Sequence, residues 1–76
     1  MGLFVRFKKD VKSLNDRGNK LISKGEYEKA LESFDKSIEL DSKRFESGYN
    51  MGICLNNLEM YEEALDSYNK SLELNP

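Results

Sequence analysis

The chain of 76 residues contains no histidine and no tryptophan, one cysteine and one proline. Without histidine, the side chain most often used as a general base is missing. The acidic residues and Cys54 show no cluster with the spacing of a zinc or calcium site. A lone cysteine closes no internal disulfide, so nothing calls for an oxidising compartment, and the cytoplasm is the expected location. At a helix-interior position Cys54 reads as a small core residue rather than a nucleophile. No apolar run approaches the ~20 residues of a membrane span. The opening Met1-Gly-Leu-Phe-Val-Arg-Phe-Lys-Lys has too short an apolar stretch for a signal peptide. Arg6 stands where a myristoylation motif takes Ser or Thr. The expectation is a protein without enzymatic activity, metal or cofactor.

What the chain does have is a copy of itself at a spacing of 34 residues, without a gap. The shift pairs Gly18 with Gly52, Leu21 with Leu55, Tyr27 with Tyr61 and Glu28 with Glu62. It pairs Ala30-Leu31 with Ala64-Leu65, Lys36-Ser37 with Lys70-Ser71, and Glu39-Leu40 with Glu73-Leu74. Phe34 over Tyr68 and Ile38 over Leu72 keep size and apolarity. Identities fall mostly at apolar or small positions, the mark of a packing unit used twice. A period of this size points to a solenoid of stacked units. A chain this short buries only roughly 60% of its unfolded surface, so its core is thin.

Each unit reads as a pair of helices. Apolar residues at 27, 30, 31, 34, 38 and 40 follow the three- and four-residue steps of one helical face, and 61, 64, 65, 68, 72 and 74 repeat them. Upstream lie two further helical stretches, near residues 11–24 and 44–57. Gly25 suits the left-handed residue that ends a helix, whereas the second turn, Asn57-Leu58-Glu59, lacks a glycine. Gly18 and Gly52 are expected to face Ala30 and Ala64 where paired helices come closest. Two starts compete for the first helix. Asp10 and Ser13, with Asp16 as a capping-box partner, mark a start near residue 11. The run Phe4, Phe7, Val11, Leu14, Gly18 and Leu21 extends the helix back almost to Leu3, and this longer helix is the favoured reading.

These residues resemble the tetratricopeptide repeat (TPR) family. Gly18-Asn19, Gly25-Glu26-Tyr27, Ala30, Phe34, Ile38 and Leu40-Asp41 look like one repeat. Tyr49-Asn50-Met51-Gly52, Leu55, Tyr61, Ala64, Tyr68, Leu72 and Leu74-Asn75-Pro76 look like the next. The resemblance implies an all-α fold of two stacked antiparallel helix-turn-helix hairpins, a fragment of a right-handed superhelical solenoid. Residues 1–10 form an N-terminal helical extension, 11–44 the first repeat and 45–76 the second. Three positions depart from the family pattern: Gly48 for a bulky residue, Glu59 for the turn glycine, and Arg17 for a leucine. Arg17 fits a face wetted by solvent, and Gly48 suggests a looser contact.

The family's usual role is protein–protein interaction through a concave groove lined by the first helix of each pair. The resemblance places Lys12, Asn15, Asn19 and Ile22 there from the first repeat, and Tyr49, Asn50, Ile53, Asn56 and Asn57 from the second. Asparagine offers a donor and an acceptor to an extended backbone, and Tyr49 and Ile53 offer apolar pockets. Residues 1–24 carry seven basic and two acidic side chains and 42–58 two and one; 25–41 carry two and six, and 59–76 one and five. A neutral to basic groove would steer a peptide with an acidic or carboxylate end. Asn19 and Asn50 match two positions of the carboxylate clamp of co-chaperone TPR domains. Asn15 replaces that clamp's lysine, so a working clamp is not expected. A net charge of −2 and aromatics at core positions give no nucleic-acid signature.

Two repeats are fewer than the three or so that usually make such a stack stable. The outer side of the last helix therefore expects a cover. One reading is self-association into a homodimer or swapped assembly, with Phe4 and Phe7 as the self-association residues; the other is a longer TPR array. Membrane contact through the first ten residues is disfavoured, because so short a segment buries little apolar area.

Overall fold

A computed structural model describes the backbone of residues 2–76 and the side chains of residues 9–76. Four helices follow one another: α1 Gly2–Ser23, α2 Tyr27–Leu40, α3 Phe45–Asn57 and α4 Tyr61–Leu74. The apolar steps of the sequence set their lengths, and local bonds stop them. At the end of α1, Glu26 N–H bonds to Leu21 O and Gly25 N–H to Ile22 O, both at 2.9 Å. At the end of α3, Met60 N–H bonds to Leu55 O at 2.8 Å and Glu59 N–H to Asn56 O at 3.1 Å. This is the same helix-terminating motif twice, and it demands a left-handed residue at its corner. Gly25 supplies it at φ 75° and Glu59 at φ 63°. The turn without glycine thus keeps the geometry of the turn with one, at the expense of backbone strain of roughly 1 kcal/mol.

α1 lies on α2 and α3 on α4, with α2 against α3 joining the hairpins. α1 meets α3 only briefly, and α2 and α4 do not approach each other. The first helix runs back to Gly2, through both Asp10 and Ser13, so the longer of the two expected helices forms. The side chains of Phe4 and Phe7 lie outside the described residues.

The core is thin, as chain length requires. Among the described residues Val11, Ala30, Phe34, Cys54, Leu55 and Ala64 are its buried apolar side chains. Burying Phe34 alone is worth about 1.5–3 kcal/mol, and it has room because Gly18 has no Cβ. A methyl group there would fall 2.5 Å from the Phe34 ring, and one at Gly52 2.6 Å from the Tyr68 ring. The atoms nearest to each missing Cβ belong to an aromatic ring one helical turn beyond Ala30 and Ala64, the partners expected from sequence. Gly48 is different: a Cβ there meets Ser67 O at 3.4 Å and nothing closer.

Among the described residues as many polar side chains as apolar ones are buried: Asn15, Ser33, Ser37, Ser47, Ser67 and Ser71. Their hydroxyls tie helix to helix. Ser33 Oγ donates to Leu14 O at 2.7 Å and, one period later, Ser67 Oγ to Gly48 O at 2.6 Å. Ser71 Oγ donates to Phe45 O at 2.9 Å. Ser37 and Ser47 share a bond at 3.0 Å between α2 and α3, and Ser47 Oγ donates to Asn15 Oδ1 of α1 at 2.9 Å. Small hydroxyls let backbones come close while satisfying the polar groups that closeness buries. No helix of the described residues is long and apolar enough to cross a membrane.

Candidate functional site

The expected groove residues divide by depth. On α1, Lys12 and Asn19 are exposed and Ile22 is half-buried beside the core of Ala30, Phe34 and Cys54. Lys12 Nζ pairs with Asp16 Oδ2 at 2.8 Å across one turn, with both side chains mostly in water. Such a pair is worth little, so Lys12 is free to exchange partners. On α3, Tyr49 is 52% exposed, Asn50 and Ile53 are half-buried, and Asn56 and Asn57 are exposed. Asn57 Nδ2 donates back to Ile53 O at 2.9 Å, leaving its carbonyl oxygen outward.

Asn15 does not join them. It is 4% exposed, and its Oδ1 is taken by Ser47 at the junction of α1, α2 and α3. Its Nδ2 is buried with no partner among the described residues. The amide is committed to holding hairpin to hairpin, which removes it from the surface a peptide would meet.

Tyr49 is held rather than loose. Its ring lies 5.7 Å from that of Tyr68, tilted by 59°, a favourable aromatic geometry. The Tyr68 ring in turn packs over Gly52. Burial, with Tyr49 and Cys54 nearby, pushes the Tyr68 hydroxyl above its ordinary pKa. Tyr68 is therefore a neutral hydrogen-bonding group at physiological pH. Burial also pushes the Cys54 thiol up to about 11, so it is protonated and inert near neutrality. Among the described residues no three His, Cys, Asp or Glu side chains gather to hold a metal ion.

One feature of the surface escaped the sequence reading. α2 and α4 stand apart over α3 and leave a cavity of about 520 Å³ between them. Its floor is Gly48, Met51 and Leu55, and its rim carries Asp35, Glu63 and Asp66 with Arg44 and Lys70. At ~100° per residue these floor positions lie on the side of α3 opposite Ile53 and Asn57. Gly48, expected as a looser contact, lies in that floor, where a Cβ would stand 3.4 Å from Ser67 O of α4.

The sequence model of the family described as Tetratricopeptide repeat matches residues 11–44 and 49–76. Against curated protein sequences the chain has no match. The matched segments span most of the chain, and each carries the same glycine–aromatic contact and the same left-handed corner. The chain belongs to the tetratricopeptide repeat family and holds two tandem repeats of it.

Proposed function

We propose that the protein is a non-enzymatic interaction module that grips an extended peptide across the outward faces of α1 and α3. TPR domains bind protein partners, and the reading for this chain rests on one observation. Tyr49 is half in water yet fixed against Tyr68, with Asn50, Ile53, Asn56 and Asn57 around it on the same helix. An aromatic side chain held in place loses little freedom on binding. Flanking amides supply paired donors and acceptors for a peptide backbone. Asn19 extends the row onto α1. With Lys12 and the basic balance of the first helix, the surface favours a peptide with acidic side chains or a free carboxylate. A thiol-reducing compartment such as the cytoplasm suits the lone Cys54.

The test is selection of peptides from a displayed random library on the intact chain. Selected sequences should be acidic, and binding should weaken as salt rises. Tyr49→Ala and the pair Asn19→Ala/Asn50→Ala should each weaken binding by about tenfold or more, measured below the melting temperature of every variant, since Tyr49→Ala also removes the ring contact with Tyr68. Peptides that bind all three proteins equally would refute the groove reading.

A further inference from the structure

The cavity between α2 and α4 is walled by residues 31–74 alone, which sets it apart from the outer side of α4. The first repeat supplies a comparison. Leu14, Arg17, Lys29, Glu32, Ser33 and Lys36 line a smaller hollow of about 270 Å³. A shift of 34 residues turns all six into residues of the larger cavity: Gly48, Met51, Glu63, Asp66, Ser67 and Lys70. The smaller hollow stays open although α3 follows α2 directly. Stacking the next helix on a hairpin therefore leaves this side of it uncovered.

Between the two copies the chemistry changes. Arg17 gives way to Met51 and Lys29 to Glu63, and Leu31 and Ile38 of α2 add a second apolar wall. With Leu55, Met60 and Leu74 these make an apolar bed in a cavity of about 520 Å³, within the size range of small-molecule sites. Its two buried hydroxyls are spent, because Ser67 Oγ donates to Gly48 O and Ser71 Oγ to Phe45 O. A peptide backbone laid on this bed would give up hydrogen bonds to water without replacing them. An alkyl chain has none to lose.

The charges have a direction. The bond from Ser71 to Phe45 ties the end of α4 to the start of α3. Arg44 and Lys70 therefore stand at one end of the bed, and Met60 and Glu63 at the other. Among the described residues no carboxylate lies within ion-pair distance of Arg44 or Lys70. Arg44 is half-buried, and its Nε is enclosed without a hydrogen-bond partner. Asp35, Glu63 and Asp66 are exposed to water. A half-buried, unpaired cation gains more from an incoming anion than an exposed carboxylate gains from a cation.

We infer that the cavity binds a free aliphatic carboxylate, with its alkyl chain on Met51, Leu55 and Met60 and its head group at Arg44 and Lys70. The site lies on the side of α3 opposite the peptide groove, so a variant can lose one and keep the other.

The experiment is titration of the intact chain with sodium decanoate below its micelle concentration, followed by the methyl NMR signals of Met51 and Met60. Octanoate, decanol, decyltrimethylammonium and the peptide acetyl-Leu-Leu are the comparisons, and circular dichroism reports helix content and melting. Decanoate should shift both signals saturably and raise the melting temperature. Octanoate, two methylenes shorter, should bind about fourfold or more weakly. Arg44→Gln should weaken decanoate by about tenfold and leave decanol unchanged, which separates a lost charge contact from a damaged fold. Asn19→Ala/Asn50→Ala should leave decanoate binding as it is. No saturable shift, or loss of helix on adding decanoate, would overturn the inference. So would octanoate, the cation or the peptide binding as tightly as decanoate, or indifference to Arg44→Gln. Sensitivity to the asparagine pair would also overturn it, by placing the ligand in the peptide groove.

Discussion

Three glycines sit inside α1 and α3, and replacing each by alanine should give three different answers. Alanine is favoured over glycine in a helix by ~1 kcal/mol, so each change starts with that gain. Space decides the sign. At Gly18 the new methyl lies 2.5–2.9 Å from three atoms of the Phe34 ring, which is itself fully buried and has nowhere to move. Overpacking of this kind costs about 1–3 kcal/mol, so Gly18→Ala should be destabilising by about 1–2 kcal/mol after the helix gain. At Gly52 the clash with Tyr68 is as close, at 2.6–2.8 Å, but that ring is only half-buried and can swing outward. Gly52→Ala should therefore lie near neutral or mildly destabilising. At Gly48 the methyl finds 3.4 Å or more on every side and keeps the whole propensity gain.

In a domain of this size each kcal/mol moves the melting temperature by roughly 4–8 °C, well within the reach of thermal unfolding followed by circular dichroism. The predicted order is Gly48→Ala above wild type, wild type at or above Gly52→Ala, and Gly18→Ala lowest. Adding Phe34→Leu to Gly18→Ala should cost less than Phe34→Leu costs alone, because the two changes relieve each other in a double-mutant cycle. Gly18→Ala melting at or above Gly48→Ala would refute the claim that these glycines exist to admit rings.

Glu59→Gly should raise stability by about 0.5 kcal/mol, relieving the left-handed strain and giving back part through the freer unfolded chain. The mirror change Gly25→Ala should lower it by about 1 kcal/mol, and thermal melts that rank the pair the other way would deny the shared corner. Asp35 has its carboxyl pushed above the ordinary 3.8 by burial and then by Glu39. A raised folded-state pKa favours folding below the ordinary value, and that support is lost as pH rises through the raised one. Asp35→Asn should therefore melt higher than wild type at pH 7 and lose the advantage below pH 3.8. The effect is small, because the side chain keeps contact with solvent.

The hairpins were legible because a period is a property of sequence: Tyr27, Ala30 and Phe34 reappear as Tyr61, Ala64 and Tyr68, and the helices follow. Which residue meets which was not. Gly18 is matched with Ala30 on size alone; that the Phe34 ring comes nearest to it follows from how the helices cross. Ser33 and Ser67 carried a signal in their common spacing, yet serine is so often a surface residue that its burial passes unnoticed. Asn15 failed for the same reason in reverse. An asparagine one turn from Asn19 looks like a groove residue until Ser47, 32 positions away, is seen to claim it. Side-chain partners that far apart in sequence are set by tertiary packing, to which periodicity is blind. The peptide groove was drawn from family likeness, whereas the cavity beside Gly48 depends on the separation of α2 and α4, which no local pattern carries.

The buried bond from Ser47 to Asn15 has a consequence for recognition. Since α1 otherwise barely touches α3, this latch is the chief polar link between the two helices that would cradle a peptide. Turning the amide over would exchange an idle donor for an idle acceptor, so neither orientation satisfies it completely. In the proposed mode of binding, the width of that cradle would be set from behind, by a side chain the peptide would not touch.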